Sequence, residues 1–191
     1  MTRKALSLQE VRVTIEGRSR CPFSPASWST MSVEDRQSAL NLAEQRIAAI
    51  EKRDLCSVYA LSEAEARRRG KPWRADDLAR YDDNTRAIEL RSDRLSDGTL
   101  FYRVFSDYLH EARHAYQHDV MRCRTVLIDG RPRESEKTIA LWEDGKKTYP
   151  TWIPRGADAI ELWNVEYYKN RLEKDAREWA RLMLETMYGK R

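Results

Sequence analysis

Two long stretches of helical periodicity dominate the pattern of apolar and polar positions. Between Ser32 and Lys52, Ala39, Leu40, Leu42, Ala43, Ile47 and Ile50 recur at three- and four-residue spacing with Glu, Gln and Arg on the other side, which predicts an amphipathic core helix. Ser32 stands in the capping position, with Glu34 and Asp35 in the positive first turn. After the break at Asp97-Gly98, Leu100, Val104, Tyr108, Ala112 and Ala115, joined by Phe101, Phe105, Leu109 and Tyr116, give a wider apolar face and a helix from about Leu100 to Asp119. A shorter helical piece is predicted from Ser62 to Arg69, ended by Gly70-Lys-Pro72. Two more helices are predicted at the C-terminal end, Ala157 to Lys169 and Glu173 to Tyr188, with Asn170-Arg171-Leu172 as the joint.

Alternation of apolar and polar residues marks the strands. Val11 to Glu16 reads as a short strand before Gly17. Leu78 to Asp82 and Arg86 to Arg91 flank a turn and predict a β-hairpin placed just ahead of the long helix. Thr125 to Gly130 and Lys137 to Trp142 predict a second pair of strands. Arg18 to Thr30, with Pro22 and Pro25 among serines, and the proline-bounded Tyr149 to Pro154 read as loops. The 191 residues suit a single α+β domain with one substantial core, residues 1 to 30 being a poorly packed extension.

Composition narrows the function classes. The 35 basic and 31 acidic residues leave a net charge of +4, spread along the chain as a solvated surface. Arg67-Arg-Arg-Gly70 and the arginines from Arg122 to Arg133 are therefore read as exposed charge, and a nucleic-acid module draws support only from composition. Cys21, Cys56 and Cys123 are far apart and form no C-x-x-C pair, so neither a disulfide scaffold nor a thiolate metal site is expected. They read as thiols of a reducing compartment. No apolar leader and no run near the roughly 18 apolar residues of a membrane span are present, so the expectation is a cytoplasmic protein without a Sec-type signal.

The candidate chemistry lies in Tyr108 to Gln117, which contains His110-Glu111-Ala-Arg-His114. Positions i and i+4 of a helix lie one above the other, so two imidazoles in an H-E-x-x-H order can reach a single Zn²⁺. Zinc lowers the pKa of a coordinated water to about 7, and the intervening glutamate is placed to take its proton. The chain's three histidines, His110, His114 and His118, share one stripe of this helix.

A third ligand is needed. His118 would line up with the other two along a straight helix instead of surrounding an ion, and the glycine turn and distant histidine of a metzincin are missing. A carboxylate from a second helix can complete a His₂Glu set. Glu173 is the foremost candidate among 31 acidic residues, because Ala176 and Ala180 make its helix slim enough to pack closely. Asp175 and His118 are next in line. Gln117 and His118 are candidate contacts around the site, Asp175 a candidate acceptor for an imidazole N–H, and Tyr149, Tyr167 and Tyr168 candidate donors to a developing oxyanion.

The combination of H-E-x-R-H-A-x-Q at His110 to Gln117 with E-x-D-A-x-x-W-A at Glu173 to Ala180 resembles gluzincin-type metallopeptidases of the ImmA/IrrE-like kind. It also looks like the peptidase domains that end bacterial polymorphic toxins and secreted effectors. The resemblance implies a zincin-like α+β fold with helices carrying the site on a small, mostly antiparallel sheet. It implies Zn²⁺ held by His110, His114 and Glu173, and Glu111 as catalytic base. It further implies an endopeptidase acting on a protein or peptide substrate, delivery by a non-Sec secretion system, and a cognate inhibitor or immunity protein. The chain departs from that pattern in the long segment between the motifs, Arg122 to Ile153, and lacks a helix-turn-helix. The competing expectation from another class is a zincin-fold binding or regulatory module whose metal site is structural or inactive. A strand such as Arg86 to Leu90 beside the cleft is expected either to hold an extended substrate or simply to pack on the motif helix.

Overall fold

Each long helix forms where the periodicity places it and ends for a local reason. The computed structural model describes residues 23–74, 77–149 and 157–189. Its elements run in the order α1 (Pro25–Thr30), α2 (Val33–Glu51), β1 (Ser57–Leu61), α3 (Glu63–Arg68), β2 (Ala79–Asp82), β3 (Ala87–Arg91), α4 (Ser92–Ser96), a 3₁₀ turn (Gly98–Leu100), α5 (Phe101–Arg122), β4 (Leu127–Ile128), β5 (Arg131–Pro132), α6 (Glu136–Lys147), α7 (Ala157–Lys169) and α8 (Arg171–Tyr188). The Ser32 side chain accepts from Asp35 N–H to start α2, and Lys52 ends it in the left-handed region at φ 53°. Ser62 and Glu65 form the full reciprocal capping box at α3. The chain is α+β and mostly helical, and no helix among the described residues is long and apolar enough to cross a membrane.

The main sheet has the order β1-β3-β2, with β1 parallel and β2 antiparallel to β3. It is mixed, and the Ile88 strand is its centre, not an edge. The expected hairpin is present as β2 and β3, but β1 escaped the sequence reading. The outer edge of β1 is closed by side chains of α2 that imitate a neighbouring strand. Asn41 donates its Nδ2 to the Val58 carbonyl and accepts Val58 N–H at Oδ1, both at 3.0 Å. Gln37 and Glu44, on the same helix face, accept Ala60 N–H and Cys56 N–H, each at 3.1 Å. We expect Asn41→Leu to cost about 1–3 kcal/mol by leaving both polar groups of Val58 without partners. Denaturant unfolding checks this, and an unchanged midpoint would show that the edge needs no seal.

Among the described residues no strand pairs with the opposite edge, β2, which faces α5. Arg91 N–H donates to Leu78 O at 3.0 Å, so in the antiparallel alternation the main chains of Ala79 and Tyr81 turn away from β3.

Most of the core lies between α2, the sheet, α5 and α8, and includes Leu40, Ile47, Ile88, Phe105, Tyr108, Leu109, Trp179 and Met183. Phe23 and Trp28 are 1% and 0% exposed within it, which corrects the reading of residues 23 to 30 as loop and loose extension. Ser24 caps α1 and Pro25 occupies its first turn, where a missing N–H costs nothing. The strand expected at Val11 to Glu16 lies outside the described residues.

The second expected strand pair is also corrected. Only Leu127–Ile128 and Arg131–Pro132 pair, around the tight turn at Asp129 and Gly130, both at positive φ. Lys137 to Trp142 belongs to the helix α6, capped by Ser135. Its buried Ile139 and Trp142, three apart, join Tyr116, Val120 and Leu172 in a second small core. Gly145 lets α6 approach the start of α8, because a Cβ there would meet Leu172 N at 3.1 Å. At the joint before α8 only Asn170 is non-helical. Cys56 and Cys123 are unbridged, one buried and the other exposed, while Cys21 lies outside the described residues.

Behind α5 a charged set is fully enclosed. Arg53 donates to both oxygens of Glu44, at 2.5 and 2.9 Å, and to Glu51 at 2.8 Å. Tyr108 adds its O–H to Glu44 at 3.2 Å, so the network reaches the helix that carries the histidines.

Candidate metal centre

The site is made where α5 and α8 cross. Ala112 on one helix and Ala176 and Ala180 on the other are 0–2% exposed, and these small residues bring the two backbones close. The Asn170 side chain caps α8 by accepting Leu172 N–H at 3.0 Å, which sets Glu173 in its first turn with 1% exposure. There it faces the stripe of α5 that holds His110 and His114.

The three donors converge. His110 Nε2 is 3.0 Å from Glu173 Oε2, and His114 Nε2 is 3.2 Å from Glu173 Oε1 and 3.0 Å from His110 Nε2. Burial works to raise the Glu173 carboxyl, but the two imidazoles outweigh it and hold the group well below the usual carboxylate range. Burial likewise works against charge on His114, and Glu173 overrides it, taking the imidazole to about 9. The carboxylate thus favours positive charge at this spot, whether carried by an imidazolium or by a cation.

His118 is not part of the group. Its Nδ1 lies 2.9 Å from Asp83 Oδ2 in the β2–β3 turn, and its ring stands edge-on to Tyr81 at 5.5 Å. A straight helix carries its i+8 residue past the point where the other two meet. Glu111 is placed on the side of β2, where its Oε2 accepts Tyr81 N–H at 2.7 Å. Burial raises its carboxyl, and the Glu173 charge adds to this, while the imidazoles and the Tyr81 N–H act in the opposite direction.

Asp175 does not receive an imidazole N–H. It accepts from Arg113 Nε at 2.7 Å and from Gln117 Nε2 at 3.0 Å, while Gln117 Oε1 stands 2.8 Å from His114 Nδ1. Of the three tyrosines that sequence could not rank, Tyr149 donates its O–H to Glu173 Oε1 at 2.9 Å. Tyr167 packs edge-on against Tyr149 and stacks on Trp163. Burial first, then the Glu173 charge, raises both phenols. Tyr168 is 63% exposed and lies under Arg177 instead. Three participants went unread: the Tyr81 main chain, Arg113 and Arg177, whose Nη1 is 3.7 Å from Glu173 Oε2. The i, i+4 spacing of Glu173 and Arg177 was the available signal for the last.

Two imidazole nitrogens and a carboxylate, all within 4.8 Å of one another, could hold a metal ion, and a mixed nitrogen and oxygen set suits a divalent transition metal. Glu111 stands beside that set without belonging to it. Protein-family models, curated proteins and solved structures were all compared with the chain, and none matches.

Proposed function

We propose that the protein is a zinc-dependent endopeptidase of zincin-like architecture, similar to ImmA/IrrE-like and toxin or effector peptidase domains, acting on an extended protein segment. The observation that carries this reading is the meeting of His110, His114 and Glu173 from two helices, with Glu111 adjacent and not consumed as a ligand. Zn²⁺ held by those three residues would supply the Lewis acidity that makes water acidic and polarises a peptide carbonyl.

The chain's own residues supply the rest. Glu111 takes the proton of the attacking water and delivers it to the leaving amine, and its raised carboxyl makes it better matched to holding that proton between the two transfers. The Ala79 main chain and the Tyr81 carbonyl face away from β3, and an extended substrate can pair with them, fixing its register beside Glu111, which holds the Tyr81 N–H. Tyr149 places an O–H beside Glu173, where a donor to the developing oxyanion is needed. As a toxin or effector domain the protein would act on a protein of a rival or host cell and be restrained by a cognate inhibitor.

Metal analysis and proteolysis of an unfolded generic protein substrate test the proposal. The expected result is one zinc per chain, cleavage abolished by chelation and restored by Zn²⁺. Glu173→Ala should weaken zinc binding by more than the ~10–100-fold typical of outer-shell changes. A chain prepared without chelators that holds no zinc would sink the reading. Stoichiometric zinc with no hydrolysis of a substrate panel would leave a binding module.

A further inference from the structure

Behind His114 the orientation of each polar group follows from the one before it. Arg113 is 6% exposed and a permanent cation. Burial acts against its charge, but Asp175 more than compensates, and its Nε donates to Asp175 Oδ2 at 2.7 Å. The same oxygen lies 3.0 Å from one terminal atom of the Gln117 amide, which also lies 3.1 Å from the Leu172 carbonyl. Both neighbours are acceptors, so that atom must be the NH₂ group. The remaining amide atom is then the carbonyl oxygen, and it faces His114 Nδ1 at 2.8 Å. An acceptor at that distance requires a proton on Nδ1. The ring therefore turns Nε2 toward His110 and Glu173.

We infer that Gln117 is a positioning residue that fixes the tautomer and ring orientation of His114, with its own polarity imposed by Arg113 through Asp175. As a statement about metal binding this rests on His110, His114 and Glu173 being the ligands. The geometry does a second thing. Leu172 and Asp175, which hold Gln117, flank Glu173 on α8, so the relay ties the imidazole of α5 to the helix that brings the carboxylate. Gln117 is fully buried, and its amide contacts serve this relay.

Proton–nitrogen NMR of the histidine rings, combined with Zn²⁺ competition against a chelator of known affinity, tests this. In wild-type protein a slowly exchanging His114 Nδ1–H is expected even without metal, and its absence there overturns the inference with no variant needed. Gln117→Leu should lose that protected proton and weaken Zn²⁺ binding by ~10–100-fold. Gln117→Glu keeps an oxygen facing His114 Nδ1, and its second oxygen, when it carries the acid proton, can donate to Asp175 Oδ2 in place of the amide. Retention of the protected proton and of most of the zinc affinity in this variant, against their loss in Gln117→Leu, supports the relay, since a merely space-filling role would not separate the two. Gln117→Leu with an unchanged Nδ1–H and unchanged zinc affinity overturns it. A protected Nδ1–H in wild type that binds no zinc supports the relay and sinks the metal reading instead.

Discussion

Glu111→Gln is expected to remove the proposed peptidase turnover and to leave the proposed metal site standing. The amide cannot accept the water proton, so kcat/KM should fall by about 10²–10⁴-fold, the contribution typical of a positioned general base. The fold should not notice. Glu111 is partly buried in an environment that raises its carboxyl and so disfavours its charge, and an amide oxygen can still accept the Tyr81 N–H that now sits at 2.7 Å. Thermal unfolding at or above the wild-type midpoint, with zinc stoichiometry unchanged, is the expected companion result. Activity within about tenfold of wild type would place the base on another residue.

Arg53→Ala should produce the largest loss of stability. The guanidinium is the cation facing Glu44 and Glu51, whose side chains are 0% and 4% exposed. Without it two carboxylates remain in a dry pocket against Tyr108 and Cys56. Breaking a buried ion set by removing one partner costs about 3–5 kcal/mol, because the cost is that of the charge left behind. For a chain of this size that is a fall in Tm of about 6–20 °C. The triple variant Arg53→Met, Glu44→Gln, Glu51→Gln should recover much of the loss, since neutral groups of similar size lack the desolvation penalty. An Arg53→Ala midpoint within about 2 °C of wild type would mean that water reaches these carboxylates. Because Tyr108 belongs both to this network and to α5, a drop in zinc affinity should accompany the loss.

The elements that sequence reading placed well are those whose evidence is local. The spans of α2 and α5 follow from one apolar stripe each, and Ser32 and Ser62 announce their helices by a capping bond to a residue three positions on. The misreadings share a cause. Ile139-Ala-Leu-Trp142 is apolar enough for either period, and only contact with Tyr116 and Leu172 makes it a helix face. Strand β1 draws on Gln37, Asn41 and Glu44 for its outer hydrogen bonds, and no strand-like neighbour in the sequence marks it. Ser24-Pro25 was a legible helix start that the surrounding prolines and serines disguised.

The same division holds at the site. The sequence by itself determined the placement of His110, Glu111 and His114, because helix geometry puts i and i+4 on one face whatever the rest of the chain does. It also disfavoured His118 while keeping it as an alternative ligand, and the structure sets that ring against Asp83. Only the tertiary structure decided which of the acidic residues meets the imidazoles, since Glu173 stands 59 positions beyond His114 (173 − 114) and arrives through the packing of α8 on α5. It alone decided that Gln117, not Asp175, faces the imidazole, and that β2, not the Ile88 strand, is the sheet edge beside Glu111. The physical reason is that helix phase is a property of a few consecutive residues, whereas the approach of two helices and the order of strands are set by the whole core at once.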